Sequence, residues 1–185
     1  SIALIATLTP YRLARLLAFA DPWEHQFDSG YQLTQALIAF GRGEWLGLGL
    51  GNSIQKLFFL PEAHTDFLFS IVAEEMGIIG AGLVILLFAG LVLRGLAIGN
   101  AARRQELQFH AYLAYGLSLI IGIQASVNLG VNLGILPTKG LTLPFMSYGG
   151  NSLIVSCMMV ALILRIDYET RQFQTTNVKR GKRNG

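Results

Sequence analysis

Residues 76–93 read MGIIGAGLVILLFAGLVL, with no charged side chain among them. A helix crosses the hydrocarbon core of a bilayer in roughly 20 apolar residues. The stretch is therefore read as the body of a membrane span over about 67–93. Two more uncharged runs, 111–138 and 141–164, predict further spans at about 111–136 and 141–164. Residues 1–11 are also uncharged but reach only half a span, and no signal-peptide pattern is present. They are read as the end of a truncated helix, the chain being expected to be a piece of a larger membrane protein. Composition agrees: of 185 residues, 52% are hydrophobic and 14% charged, too apolar for an ordinary soluble domain. The expected fold is an all-α polytopic membrane protein. It comprises a half-span (1–11), a long extracytoplasmic loop with an interfacial helix (12–66), three complete spans (67–164) and a basic cytoplasmic tail (165–185).

Orientation follows from the arginines and lysines. The link after the first complete span carries Arg94, Arg103 and Arg104, and the tail carries Arg165, Arg171, Lys179, Arg180, Lys182 and Arg183. Two spans separate these regions, so they share a face, and the positive-inside rule makes that face cytoplasmic. A basic tail also raises nucleic acid as a partner. Anchoring at an anionic leaflet is the expected role, and no nucleic acid is expected. Cys157 lies inside the third span, where its expected role is packing.

The outer loop is too long for a plain connector. Ser29 is a candidate cap for a helix carrying Leu33, Leu37 and Phe40 on one apolar face, suited to the membrane interface. Trp23 and Trp45 point to the same interfacial belt. The stretch GRGEWLGLGLGNS (41–53) permits close backbone approach and offers N–H groups to an anion; a turn region is the alternative. Lys56 follows, as a lipid-headgroup contact or a substrate cation.

PEAHTDFLFS (61–70) sets Glu62, His64 and Asp66 at one membrane edge. Thr65 or Asp66 is a candidate helix cap. At about 100° per residue, Ser70 and Gly77 share the Asp66 face, Glu74 lies about 80° away and Glu75 lies opposite. Glu74 would sit about 12 Å deeper, at about 1.5 Å per residue. Intramembrane carboxylates face a protein interior or a wet cavity, so this helix has a polar side. Gln124, Asn128 and Asn132 form a stripe at four-residue steps, read as helix–helix hydrogen bonding, with Gly122, Gly130 and Gly134 allowing close packing. PTKGLTLPFMSYGGNS (137–152) is broken by Pro137, Gly140, Pro144 and the Gly149-Gly150 pair, and is read as a re-entrant turn. Lys139 at its tip then shares a membrane face with Asp66. An acid, two lysines and a broken helix facing one compartment suit an anionic, lipid-linked substrate.

GLGLGNSIQKLFFLPEAHTDFLFSIVAEEMG (47–77) and LGILPTKGLTLPFMSYGGNS (133–152) closely resemble the SEDS family (shape, elongation, division and sporulation), and the Pro-Thr-Lys-Gly turn resembles its division-type branch. The resemblance runs through Arg165. It implies ten spans, of which this chain would hold the end of the seventh and the last three. It implies a glycosyltransferase polymerising lipid II into peptidoglycan strands at the septum, in the bacterial cytoplasmic membrane. A class B penicillin-binding protein and other divisome membrane proteins are the implied partners, and a divalent cation, Mg²⁺ or Mn²⁺, the implied cofactor. The family's catalytic acid falls on Asp66 and its motif lysines on Lys56 and Lys139. Glu62, His64 and Ser147 are the further candidate substrate contacts. Glu44 and Asn151 depart from the pattern, standing where glycine and serine are common. The reaction needs a base for the acceptor hydroxyl, for which Asp66 is the candidate, and cations for the departing diphosphate, for which Lys56 and Lys139 are candidates. Glu62 and His64 either orient Asp66 or pack the loop. One base without a placed nucleophile favours direct displacement with inversion. The isolated chain is expected to be inactive. A flippase for the lipid-linked precursor and a non-catalytic divisome scaffold are the alternatives.

Overall fold

The computed structural model describes residues 21–24, 30–53, 66–137 and 140–183, with side chains through 176. The half-span at 1–11 and the cap at Ser29 lie outside the described residues. Among them the elements are all helical: α1 (Tyr31–Gly43), α2 (Leu68–Arg104), α3 (Gln108–Asn132) and α4 (Gly150–Arg183). The last three are long and apolar enough to cross a membrane, as the uncharged runs predict.

The boundaries differ from the sequence reading where charge and helix length part company. α2 continues past Leu93 through Arg104, so the arginines expected in a link extend the helix beyond its apolar run. The link shrinks to a Schellman turn, in which Leu107 N–H bonds Ala102 C=O (3.1 Å) and Glu106 N–H bonds Arg103 C=O (3.1 Å). Glu106 takes the positive φ of 62° that glycine usually supplies there. α4 starts at Gly150, not near 141, because Pro144 cannot donate and Gly140 and Phe145 hold φ of 65°. The tail from 165 is helical to Arg183. Cys157, expected to pack, is exposed.

α1 begins at Gly30, which has no side-chain cap; Thr34 Oγ instead donates to the carbonyls of Gly30 (3.0 Å) and Pro22 (2.9 Å). Of its predicted apolar face, Leu33 is buried while Leu37 and Phe40 are half-buried. Leu33, Ala36 and Ala39 are buried, and Ala36 joins Phe67, Ile71 and Val131 in a core. Phe40 and Phe69 rings lie 5.5 Å apart.

α2 is interrupted at Gly77 (φ 66°, ψ −167°). In a continuous helix, the Ile78 and Ile79 N–H groups would bond the carbonyls of Glu74 and Glu75. Here Ile78 donates to Glu44 C=O (2.9 Å) and Ile79 to Trp45 C=O (3.4 Å). The released Glu74 and Glu75 carbonyls accept from Leu48 (3.0 Å) and Gly49 (3.1 Å). Those donors are the i+4 partners of Glu44 and Trp45, so two helical turns have exchanged partners. The sequence carries the symmetry as Glu44-Trp-Leu-Gly47 and Glu74-Glu-Met-Gly77. Of the N–H groups considered for an anion, those of Leu48 and Gly49 are thus taken by α2, and those of Gly47 and Asn52 by the carbonyls of Gly43 and Gly49; the face arithmetic from Asp66 does not extend past Gly77.

The described chain divides into two compact units. The first holds α1, α2 through Ile85, and Gln124–Gly149; the exchange and the core above belong to it. The second holds Leu86–Ile123 and the chain from Gly150. Within it Gly95 lies against Ser118, whose hydroxyl bonds Ala114 C=O (2.7 Å). Small residues at such a crossing let helices approach closely. Beyond it, Glu169 accepts from His110 Nε2 and Arg165 Nε, each at 2.7 Å, and Arg171 pairs with Asp167 at 2.8 Å. Gly95→Val is expected to cost about 1–3 kcal/mol by overpacking. Gly116→Ala, whose added carbon meets nothing in this chain, is expected to be neutral or slightly stabilising. Thermal melts of the full-length protein in detergent check the pair.

Candidate functional site

Asp66 occupies the turn before α2 and is half-buried. Its carbonyl accepts from two amides of α3, Asn132 Nδ2 (2.8 Å) and Asn128 Nδ2 (3.0 Å). Asn132 Oδ1 accepts the Ser70 N–H (3.2 Å) and hydroxyl (2.7 Å). Asn132 from α3 thus reaches an N–H of the first α2 turn, that of Ser70, which also bonds Phe67 C=O (3.1 Å); Thr65, one of the two cap candidates, lies outside the described residues. Asn128 Nδ2 also reaches Leu141 C=O (2.5 Å), and Gln124 Nε2 reaches Thr142 C=O (3.1 Å). The stripe read as helix–helix glue bonds chiefly to backbone at a helix entry and a loop. The spacing showed the stripe; its targets are a tertiary matter.

The Asp66 carboxylate lies against the backbone of Gly140: a Cβ built there would stand 3.3 Å from Oδ2. Asp66 and Gly140 are thus neighbours. Lys139 itself, with Lys56, Glu62 and His64, lies outside the described residues. Ser147 is buried; its Oγ accepts the Leu143 N–H (2.7 Å) and its own N–H donates to Leu143 C=O (3.1 Å). Those bonds close the turn around Pro144.

Sequence reasoning missed the partner of Glu74. This residue is fully buried, and its Oε2 accepts from Ser53 Oγ at 2.5 Å. The protein interior expected for an intramembrane acid is therefore present. The pair ties the segment entering the Lys56 region to α2. The periodicity shows that Glu74 needs a partner, but nothing in it points 21 residues back.

Among the described residues no three His, Cys, Asp or Glu side chains gather as metal ligands. A cavity of about 590 Å³ lined by Ala97, Asn100, Ala101, Arg104, Gln105 and Gln174 contains none of the predicted site residues. Chemically, the described site offers a carboxylate whose backbone is fixed by hydrogen bonds, set beside Gly140.

Comparison with known proteins gives these features a setting. Residues 1–172 match a family described as cell cycle protein, spanning FtsW, RodA and SpoVE. The probable peptidoglycan glycosyltransferase FtsW of Hahella chejuensis is 63% identical over 169 residues, covering 91% of this chain and 43% of the relative. Its counterpart in Legionella pneumophila is 61% identical over 171 residues, covering 92% and 43%. The chain thus spans less than half the length of these curated relatives. Among solved structures, one chain of a peptidoglycan synthase complex, described as coordinating polymerization and crosslinking, superposes with a TM-score of 0.68. It is 32% identical, and the match covers 92% of this chain and 46% of that one.

Proposed function

This chain belongs to the FtsW, RodA and SpoVE family of cell cycle proteins, and from that premise we propose that the whole protein is a peptidoglycan glycosyltransferase. It polymerises lipid II into glycan strands during division, from the bacterial inner membrane at the septum, with its C-terminus in the cytoplasm. A class B penicillin-binding protein is its crosslinking partner, among other divisome membrane proteins. The observation that carries the reading is the Asp66 carboxylate packed against Gly140, immediately after Lys139. Asp66 takes the proton of the sugar hydroxyl as that oxygen attacks the anomeric carbon, while Lys139 and Lys56 receive the departing diphosphate. One bond forms and one breaks at that carbon, with inversion. A divalent cation, Mg²⁺ or Mn²⁺, as the resemblance implies, would add countercharge at the departing diphosphate beside the lysines.

The interruption of α2 at Gly77 is the observation that favours transport, since broken helices line many transporter sites. Here, however, the freed backbone groups on both sides of the break are bonded to the 44–49 loop. They are not available to a cargo. Full-length protein reconstituted in vesicles with labelled lipid II separates the readings: polymer is expected, whereas flipping without polymer would sink the polymerase assignment.

Gly140→Ala is a further test of the site. The new methyl would press on the Asp66 carboxylate at a φ of 65° that disfavours any side chain. Polymerisation is expected to fall about 10-fold or more, since misplacing a reacting group by about 1 Å can cost 10²-fold. The melting temperature should move only a few degrees. Comparable losses in Gly149→Ala would remove Gly140 from the site.

A further inference from the structure

The α3 amide stripe enters no step above, yet every side-chain bond it sends out of its helix ends on one of two segments. Gln124 and Asn128 hold the carbonyls of Thr142 and Leu141, in the turn that follows Lys139. Asn128 and Asn132 hold the carbonyl of Asp66, and Asn132 also grips the Ser70 backbone and hydroxyl. A single NH₂ group, that of Asn128, bridges the two segments. It has two protons and two carbonyls to receive them, and it is buried. Asn128 and Asn132 are also joined to each other, through Asn132 Nδ2 to the Asn128 backbone carbonyl (2.9 Å) and Oδ1 (3.2 Å).

We propose that Asn128 and Asn132 are positioning residues for strand synthesis: they pin the Asp66 turn and the 140–142 turn to one rigid helix, setting the Asp66 carboxylate beside Gly140. This rests on reading Asp66 as the base. The chemistry selects the residue type. Each carbonyl needs a donor, which rules out Asp and the apolar residues, and the bridge needs two donors diverging from one planar group. Asp66 lies outside the first turn of α2, so helical bonding alone does not fix it. Serine or threonine would supply one proton where Asn128 uses two. A packing role alone would make the same bonds but would act on stability, not through Asp66.

The two roles separate in a double-mutant cycle on full-length protein in complex with its partner, with labelled lipid II as substrate. Asn128→Leu and Asn132→Leu are made alone and in the Asp66→Asn background. Each alone is expected to lower kcat about 10-fold or more with KM within about 3-fold, and to add less than about 2-fold once Asp66 is gone. Losses that multiply in the double variants, or an unchanged kcat in the single ones, overturn the positioning role while leaving Asp66 as base. Wild-type rates in Asp66→Asn overturn both. If the leucine variants do not fold, Asn128→Asp replaces the bridging donor at constant shape and keeps the acceptor that faces Asn132, and the same cycle decides.

Discussion

Asp66→Asn in the full-length protein is expected to cut strand synthesis from lipid II by about 10²–10⁴-fold, the usual contribution of a positioned general base. The substitution keeps shape and volume. It leaves untouched the Asp66 carbonyl, through which Asn128 and Asn132 hold the turn, so the melting temperature and partner binding should stay near wild type. Loss of rate without loss of assembly also separates an enzyme from a scaffold, because a scaffold has no use for a proton acceptor. Asp66→Glu is expected to restore little. It retains the basic group but adds a methylene beside Gly140, where the carboxylate already lies close to the backbone. Strand synthesis by Asp66→Asn at the wild-type rate, measured on purified lipid II, removes the proposed base. A loss matched by a fall in melting temperature would instead mark Asp66 as structural.

The spans and their order are legible in the sequence because a bilayer imposes one coarse rule, an uncharged run of fixed length, and 76–93 obeys it. What the run does not encode is where the helix stops. Arg94 to Arg104 end the uncharged run without ending the helix, since backbone bonding needs no apolar side chains. The candidate acid and the lysine turn were legible as types at one membrane face. Their adjacency was legible only as an expectation, and the agents that bring it about were not. Asn128 and Asn132 reach across 62 and 66 residues to one carbonyl, and periodicity shows which face a side chain occupies, not what it meets. The Ser53–Glu74 pair failed for the same reason. The two Glu-x-x-Gly segments are visible in the sequence as a repeat, but a repeat of four residues carries too little information to announce an exchange of hydrogen bonds.

That exchange sets up the second large expected effect. Gly77 holds φ 66° and ψ −167°, a region open essentially to glycine, where any side chain costs about 1–3 kcal/mol. A methyl at Gly77 would also fall on the Trp45 carbonyl and the Gly47 nitrogen, both backbone atoms that cannot rotate aside. Relieving that clash means withdrawing the loop and losing some of the four exchanged bonds, each worth about 0.5–1.5 kcal/mol net. Gly77→Ala is therefore expected to destabilise by about 3 kcal/mol or more, enough to deplete the folded protein in the membrane. Gly82→Ala, five residues along the same helix with nothing near its added carbon in this chain, should be neutral or up to about 1 kcal/mol stabilising. Gly47 is the counterpart on the other segment, with φ of 80° and the Glu75 carbonyl in its way. Gly47→Ala should cost a similar amount, and because both substitutions break one set of bonds the double variant should cost less than their sum. Thermal melts of the four proteins in one detergent make the comparison. Equal melting of Gly77→Ala and Gly82→Ala would mean that α2 runs straight through position 77. Strict additivity of Gly47 and Gly77 would mean that the two turns are not exchanged with each other.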